Sequence, residues 1–146
     1  MPGILVGVDG SDDSRRALAW AIREAAKHHV PLTVMTVHPD PVRPATGIYW
    51  GVHLAPDDSR NLEVARASVQ QFVDQVADEI ETVPDITVSA VTGDPAAELI
   101  KASADADLLV VGSRGFGEFA RLLMGSVSSK VVHHAAGPVA VIRGKG

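Results

Sequence analysis

Residues 108–132 read LLVVGSRGFGEFARLLMGSVSSKVV: an apolar run, a turn rich in glycine, and a helix start. Leu108, Leu109, Val110 and Val111 form a short continuous apolar stretch, as expected of a strand buried on both faces. Three glycines follow, Gly112, Gly115 and Gly117. Nine residues separate Gly115 from a second small pair, Gly125-Ser126, which opens a segment with Val127, Val131 and Val132, read as one side of a helix. Parallel strands need a crossover, usually a helix, so a buried strand running through a turn into a helix is the unit of a parallel sheet.

The rest of the sequence repeats that alternation. GILVGVD (3–9) is a first strand that ends at the turn signal Asp9-Gly10-Ser11. Leu18, Ala21, Ile22, Ala25 and Ala26 then recur at helical spacing, with Ser11 or Asp12 as the N-cap. PLTVMTVH (31–38) is a second strand. Residues 39–58 hold Pro39, Pro41, Pro44 and Pro56, a density that predicts an excursion without a regular element. Leu62, Ala65, Val69, Phe72, Val73, Val76 and Ile80 give the stripe of a long helix. DITVSAVT (85–92) is a third strand, and Asp94 followed by Pro95 is a helix start. DLLVVGS (107–113) is the fourth strand and GPVAVIR (137–143) the fifth. No repeat, low-complexity tract or linker interrupts residues 1–146, which read as one domain. The predicted class is α/β, a single-domain doubly wound sandwich with a parallel sheet and helices on both faces.

Composition bounds the function. Hydrophobic residues make up 46% but aromatics only 4%, so Val, Ala, Leu and Ile must build the core. No apolar run approaches the roughly 20 residues needed to span a bilayer, and the N-terminus reads as a strand, not a signal peptide. The sequence has no cysteine, which excludes disulfides, thiol catalysis and cysteine-ligated metal and fits a cytoplasmic protein. A net charge of −5 argues against nucleic acid or an anionic membrane as partner. It leaves a phosphate ligand open, because backbone N–H groups at a helix start hold phosphate without net positive charge.

In doubly wound sheets, ligands bind beyond the carboxyl ends of the strands where strand order reverses. The glycine-marked loops after the first and fourth strands are the candidates. Gly112 and Gly115 leave no side chain between backbone and ligand, and successive free N–H groups make an anion site. Gly125-Ser126 adds a helix N-terminus and a hydroxyl, and Arg114 and Arg121 offer charge-assisted bonds. Two turns so separated suit a run of two or three phosphates better than one. Asp9 suits a ribose hydroxyl or an adenine amino group instead, unless it is only a turn carboxylate. Neither the Walker A pattern nor a dinucleotide fingerprint is present.

Gly112-x-x-Gly115, nine residues, then Gly125-Ser126 resembles the glycine spacing of the ATP-binding branch of the universal stress protein family. The resemblance runs the whole length, through ILVGVDGS, GDPAAELI and the segment from Leu108 to Arg143. It implies a five-stranded sheet in the order 3-2-1-4-5, with ATP, with or without Mg²⁺, in the crevice between strands 1 and 4. Carried over by position, Gly7 and Asp9 would meet the nucleoside and Val37 the adenine. Gly112, Gly115, Gly125, Ser126 and Val127 would hold ribose and phosphates; Ser113, Arg114 and Gly117 of the same turn are counted with the site on the present reading, Arg114 as a phosphate clamp unless it is a free surface arginine. The resemblance also implies a homodimer through the last strand, PVAVIR.

Competing readings stand beside these. Asp12 and Asp13 read as solvated first-turn acids rather than Mg²⁺ ligands. His28-His29 and His133-His134 are adjacent on helices, so each pair diverges and answers the helix dipole better than it chelates. Trp20 reads as the rim of a helix–sheet contact. Tyr49 and Trp50 pack the long loop, cover the nucleotide or meet a partner. No general base with a positioned partner and no Walker lysine is evident, which points to a structural or signalling nucleotide with slow or no hydrolysis. The rivals are a slow ATPase or nucleotidyl-transfer enzyme on the same scaffold, and an interaction module without nucleotide.

Overall fold

The computed structural model describes residues 3–38, 48–49, 52–53, 58–113 and 126–143. In sequence order the elements are β1 (Ile4–Gly7), α1 (Asp12–His28), β2 (Leu32–His38), β3 (Ile48–Tyr49), β4 (Val52–His53) and α2 (Asp58–Ala77). Then come β5 (Ile86–Thr92), α3 (Pro95–Ser103), β6 (Leu108–Gly112), α4 (Ser126–His134) and β7 (Val139–Ile142).

Five strands form one all-parallel sheet in the order β5-β2-β1-β6-β7. This is the order 3-2-1-4-5 when only the sheet's own strands are counted. β1 lies in the centre, with Ile4 opposite Leu32 on one side and Leu108 on the other. The backbone first winds outward through β2 and β5, then returns to lay β6 on the free side of β1. Strand order therefore reverses between β1 and β6.

Alternation along the strands splits the core in two. Ile4, Val6 and Val8 face one side, where they meet Ala17, Leu18, Ala21 and Ile22 of α1 and Val69, Phe72, Val73 and Val76 of α2. The small alanines of α1 let the helix lie close on the sheet. Leu5, Met35, Val37, Leu109 and Val111 face the other side, against Ala96 and Leu99 of α3 and Val127 and Val131 of α4. Trp20 and Ile80 are half-buried against the first cluster. Burying a side chain such as Leu99, which is fully enclosed, stabilises the fold by about 2 kcal/mol.

The helix starts follow the capping residues in the sequence. The Ser11 side chain accepts the Ser14 N–H, and the Asp94 side chain accepts the Ala97 N–H with Pro95 at the first helical position. α1 ends on His29 in the left-handed region, with its N–H turned back to the carbonyls of Ala25 and Ala26.

Two expectations need correction. Residues 39–58 are not without regular structure: Ile48–Tyr49 and Val52–His53 pair antiparallel. Proline blocks only the donors it replaces, and residues 45–55 contain none. Val132 does not share the buried side of α4. It is 46% exposed, because at 3.6 residues per turn it lies about 140° around the helix from Val127.

Candidate functional site

The loop after β1 is closed by its own side chains. Val8 still donates to the Met35 carbonyl, at 2.9 Å, and is fully buried. The backbone then turns through Gly10, whose φ of 87° favours glycine. Asp9 Oδ1 accepts the Ser11 N–H at 2.9 Å, Ser11 Oγ accepts the Ser14 N–H at 3.2 Å, and Ser14 Oγ donates to the Ser11 carbonyl at 3.0 Å. Asp9 is thus a turn carboxylate in this structure. It also lines an open groove of about 420 Å³ with Ser11, Arg15, Ser68, Gln71, Phe72 and Gln75. Arg15 stacks on the Phe72 ring, 5.0 Å from its centre, and donates weakly to Gln75 at 3.4 Å.

The end of β6 is held by distant elements instead. A Cβ at Gly112 would come within 3.0 Å of the backbone carbonyl group of Asp13, so the glycine lets the first turn of α1 lie against the strand end. Ser113 is buried and joins three partners. Its N–H donates to the Ile142 carbonyl at 2.9 Å, its hydroxyl to Asp13 Oδ2 at 3.2 Å, and its carbonyl accepts Ser128 Oγ at 2.9 Å. The Ser128 bond brings the start of α4 beside the end of β6. The first N–H groups of a helix have no intrahelical acceptor, so donors collect at this strand end.

Gly7, Asp9, Gly112 and Ser113 are therefore gathered at the carboxyl ends of the two neighbouring strands β1 and β6, with the first turn of α4 beside them. A Cβ at Gly7 would fall 2.8 Å from a Leu99 methyl, so this glycine also serves α3 packing. Val37, one residue before the end of β2, and Val127 in the first turn of α4 both place their side chains in the second core cluster. Ser126 is the first residue of α4. Arg114, Gly115, Gly117, Arg121, Gly125 and Trp50 lie outside the described residues.

Asp12 is exposed, but Asp13 is buried, contrary to its reading as a solvated acid. Arg16 Nη1 stands 2.8 Å from Asp13 Oδ1 and Ser113 occupies the other oxygen. A sequence signal for this exists. Asp13, Ala17, Ala21 and Ala25 lie four apart on the stripe that faces the core, and Arg16 is three residues on. Ser128 has no such signal, since one serine on a helix carries none by itself.

His28 lies 3.1 Å from Glu24 Oε2, and the His133 and His134 rings sit exposed at the end of α4, 6.3 Å apart and tilted. Among the described residues no group of three or more His, Asp or Glu side chains is placed to hold a metal ion. Among the same residues no helix is long and apolar enough to cross a membrane.

The model of the universal stress protein family matches residues 2–143. A universal stress protein of Mycolicibacterium smegmatis is 39% identical over 97% of this chain and 48% of its own length. The protein spans about half the length of the curated relatives it matches. Among solved structures, UspA of Lactobacillus plantarum superposes with a TM-score of 0.74 at 28% identity, covering 97% of both molecules. A universal stress protein solved in complex with cAMP gives 0.67 at 27% identity, covering 97% of this chain and 95% of the other. A family match over nearly every residue, joined to this sheet order, makes the protein a member of the universal stress protein family.

Proposed function

We propose that this protein binds an adenine nucleotide, with ATP as the favoured ligand, in the crevice beyond the ends of β1 and β6. Residues 1–146 act as one nucleotide-binding domain. One observation carries the reading: the strand ends that meet where strand order reverses are Gly7–Asp9 and Gly112–Ser113, with the α4 N-terminus drawn beside the second by Ser128. The donor set suits such a ligand. Backbone N–H groups at Ser126 and Val127 meet the phosphates, and Arg114, Gly115, Gly117 and Gly125 complete their cradle. Asp9 and Gly7 lie toward the nucleoside, and Val37, whose side chain is in the core, offers only its backbone to the base. A relative of the same fold solved with cAMP supports an adenine nucleotide as the ligand class.

The nucleotide acts as a structural or conformational signal in a cytoplasmic stress response, with or without Mg²⁺ and with slow or no hydrolysis. Two copies of the protein pair through β7, whose four residues, Val139–Ile142, are half-exposed at the sheet edge.

The test is to denature the purified protein and chromatograph what it releases, then titrate ATP, ADP and AMP by calorimetry with a turnover assay alongside. ATP or ADP is expected, with turnover near zero. Gly115→Val is the informative variant. Gly112→Val also drives a side chain into the Asp13 backbone, so its loss of nucleotide would not isolate the site. Unchanged ATP affinity in Gly115→Val overturns the assignment.

A further inference from the structure

Asp13 is an unusual residue for the first turn of a helix. Acids there normally face water and answer the dipole, as the exposed Asp12 does. The Asp13 side chain is only 9% exposed, and a carboxylate so far from water needs partners. It has Arg16 on one oxygen at 2.8 Å and the Ser113 hydroxyl on the other at 3.2 Å. The second bond joins residues 100 apart in sequence. Ser113 in turn holds β7 through its N–H and α4 through its carbonyl. One carboxylate therefore sits at the head of a series of bonds from α1 through the end of β6 to the first turn of α4.

We propose that Asp13 is a positioning residue for the phosphate side of the crevice. By accepting the Ser113 hydroxyl it fixes where the backbone leaves β6 and where the N–H donors of α4 come to rest. This deepens the nucleotide reading and rests on it. The physical need is geometric, since backbone donors serve an anion only within hydrogen-bond distance and a shift of about 0.5 Å weakens them. Arg16 pairs the carboxylate, so Asp13 orients the turn without standing as an unpaired negative charge beside a polyanion.

The proposal is tested by calorimetry with ATP and with adenosine, on Asp13→Ala, Asp13→Asn, Ser113→Ala and the Asp13→Ala/Ser113→Ala double variant. Asp13→Ala and Ser113→Ala each lower ATP affinity about tenfold, the scale of one hydrogen bond to a charged group. Adenosine affinity stays within about twofold, because only the phosphate side is displaced. The double variant is no weaker than the worse single one, as expected for two ends of one bond. Asp13→Asn keeps ATP affinity within about threefold, since its one oxygen can stay on Arg16 while its NH2 donates to Ser113 Oγ, which keeps the link between the two elements.

ATP affinity unchanged in Asp13→Ala, ATP and adenosine falling together, or single effects that add would each overturn the positioning role. Should Asp13→Ala fail to fold, Ser113→Ala removes the same bond from the other side and is judged by the same results. If the unsubstituted protein binds no ATP, the nucleotide reading itself fails. Positioning is then read by amide hydrogen exchange at Ser113 and the first turn of α4. Faster exchange in Asp13→Ala but not in Asp13→Asn supports it, and equal exchange overturns it.

Discussion

β1 and β6 lie side by side, yet they leave the sheet by different means. The exit of β1 is local. Asp9, Ser11 and Ser14 tie the turn to one another with hydrogen bonds that span no more than three residues, and a glycine with φ of 87° sets the reversal. The exit of β6 is held by tertiary contacts. Gly112 is flush against Asp13, and Ser113 is bonded to residues of α1, α4 and β7. A turn closed by its own residues survives changes elsewhere. A turn closed by distant elements reports on all of them.

The most severe way to break the contrast is Gly112→Val. A side chain there meets backbone rather than a yielding side-chain tip, so the expected loss is about 3 kcal/mol, or roughly 10 °C in Tm. Thermal unfolding near the unsubstituted Tm would show that α1 does not rest on this glycine. Gly10→Ala forces a residue with a Cβ into the left-handed region and is expected to cost about 1–2 kcal/mol by denaturant titration. Ser11→Ala removes only the cap, for a loss of about 1 kcal/mol in the same measurement. A larger loss for Ser11→Ala than for Gly112→Val would reverse the ranking of the two exits. At the far end of α1, His29→Gly relieves a left-handed non-glycine residue and should raise stability by about 0.5 kcal/mol, seen as a small rise in the denaturation midpoint.

Most of the architecture is legible in the residues because it is written in local patterns. The five sheet strands fall within two or three residues of their apolar runs, and Ser11 and Asp94 cap the helices they precede. The small β3–β4 pair is hidden by the prolines around it, and Val132 falls on the buried side of α4 only when neighbours are counted instead of angles. Asp13 teaches a similar lesson. Its charge and its place in a first turn suggest water, but its position on the stripe with Ala17 and Ala21 is the better guide. For the candidate site, the glycines of the β6 exit are visible at once in the sequence, but their reasons are not. Gly112 reads as a gap for a ligand in sequence, and in the fold its missing side chain also makes room for the backbone of α1.

The amino-acid sequence alone determined the strands and helices, the caps, the absence of cysteine chemistry and the family resemblance. Each of these rests on residue type and short-range spacing, which the polypeptide keeps however it is folded. Only the tertiary structure decided which partner Asp13 finds across the fold, that Ser113 joins α1, α4 and β7, and that Gly7 yields its space to Leu99. These depend on which residues far apart in sequence are brought within a few ångströms. That proximity is set by the packing of α1, α3 and α4 onto the sheet, and no local pattern encodes it.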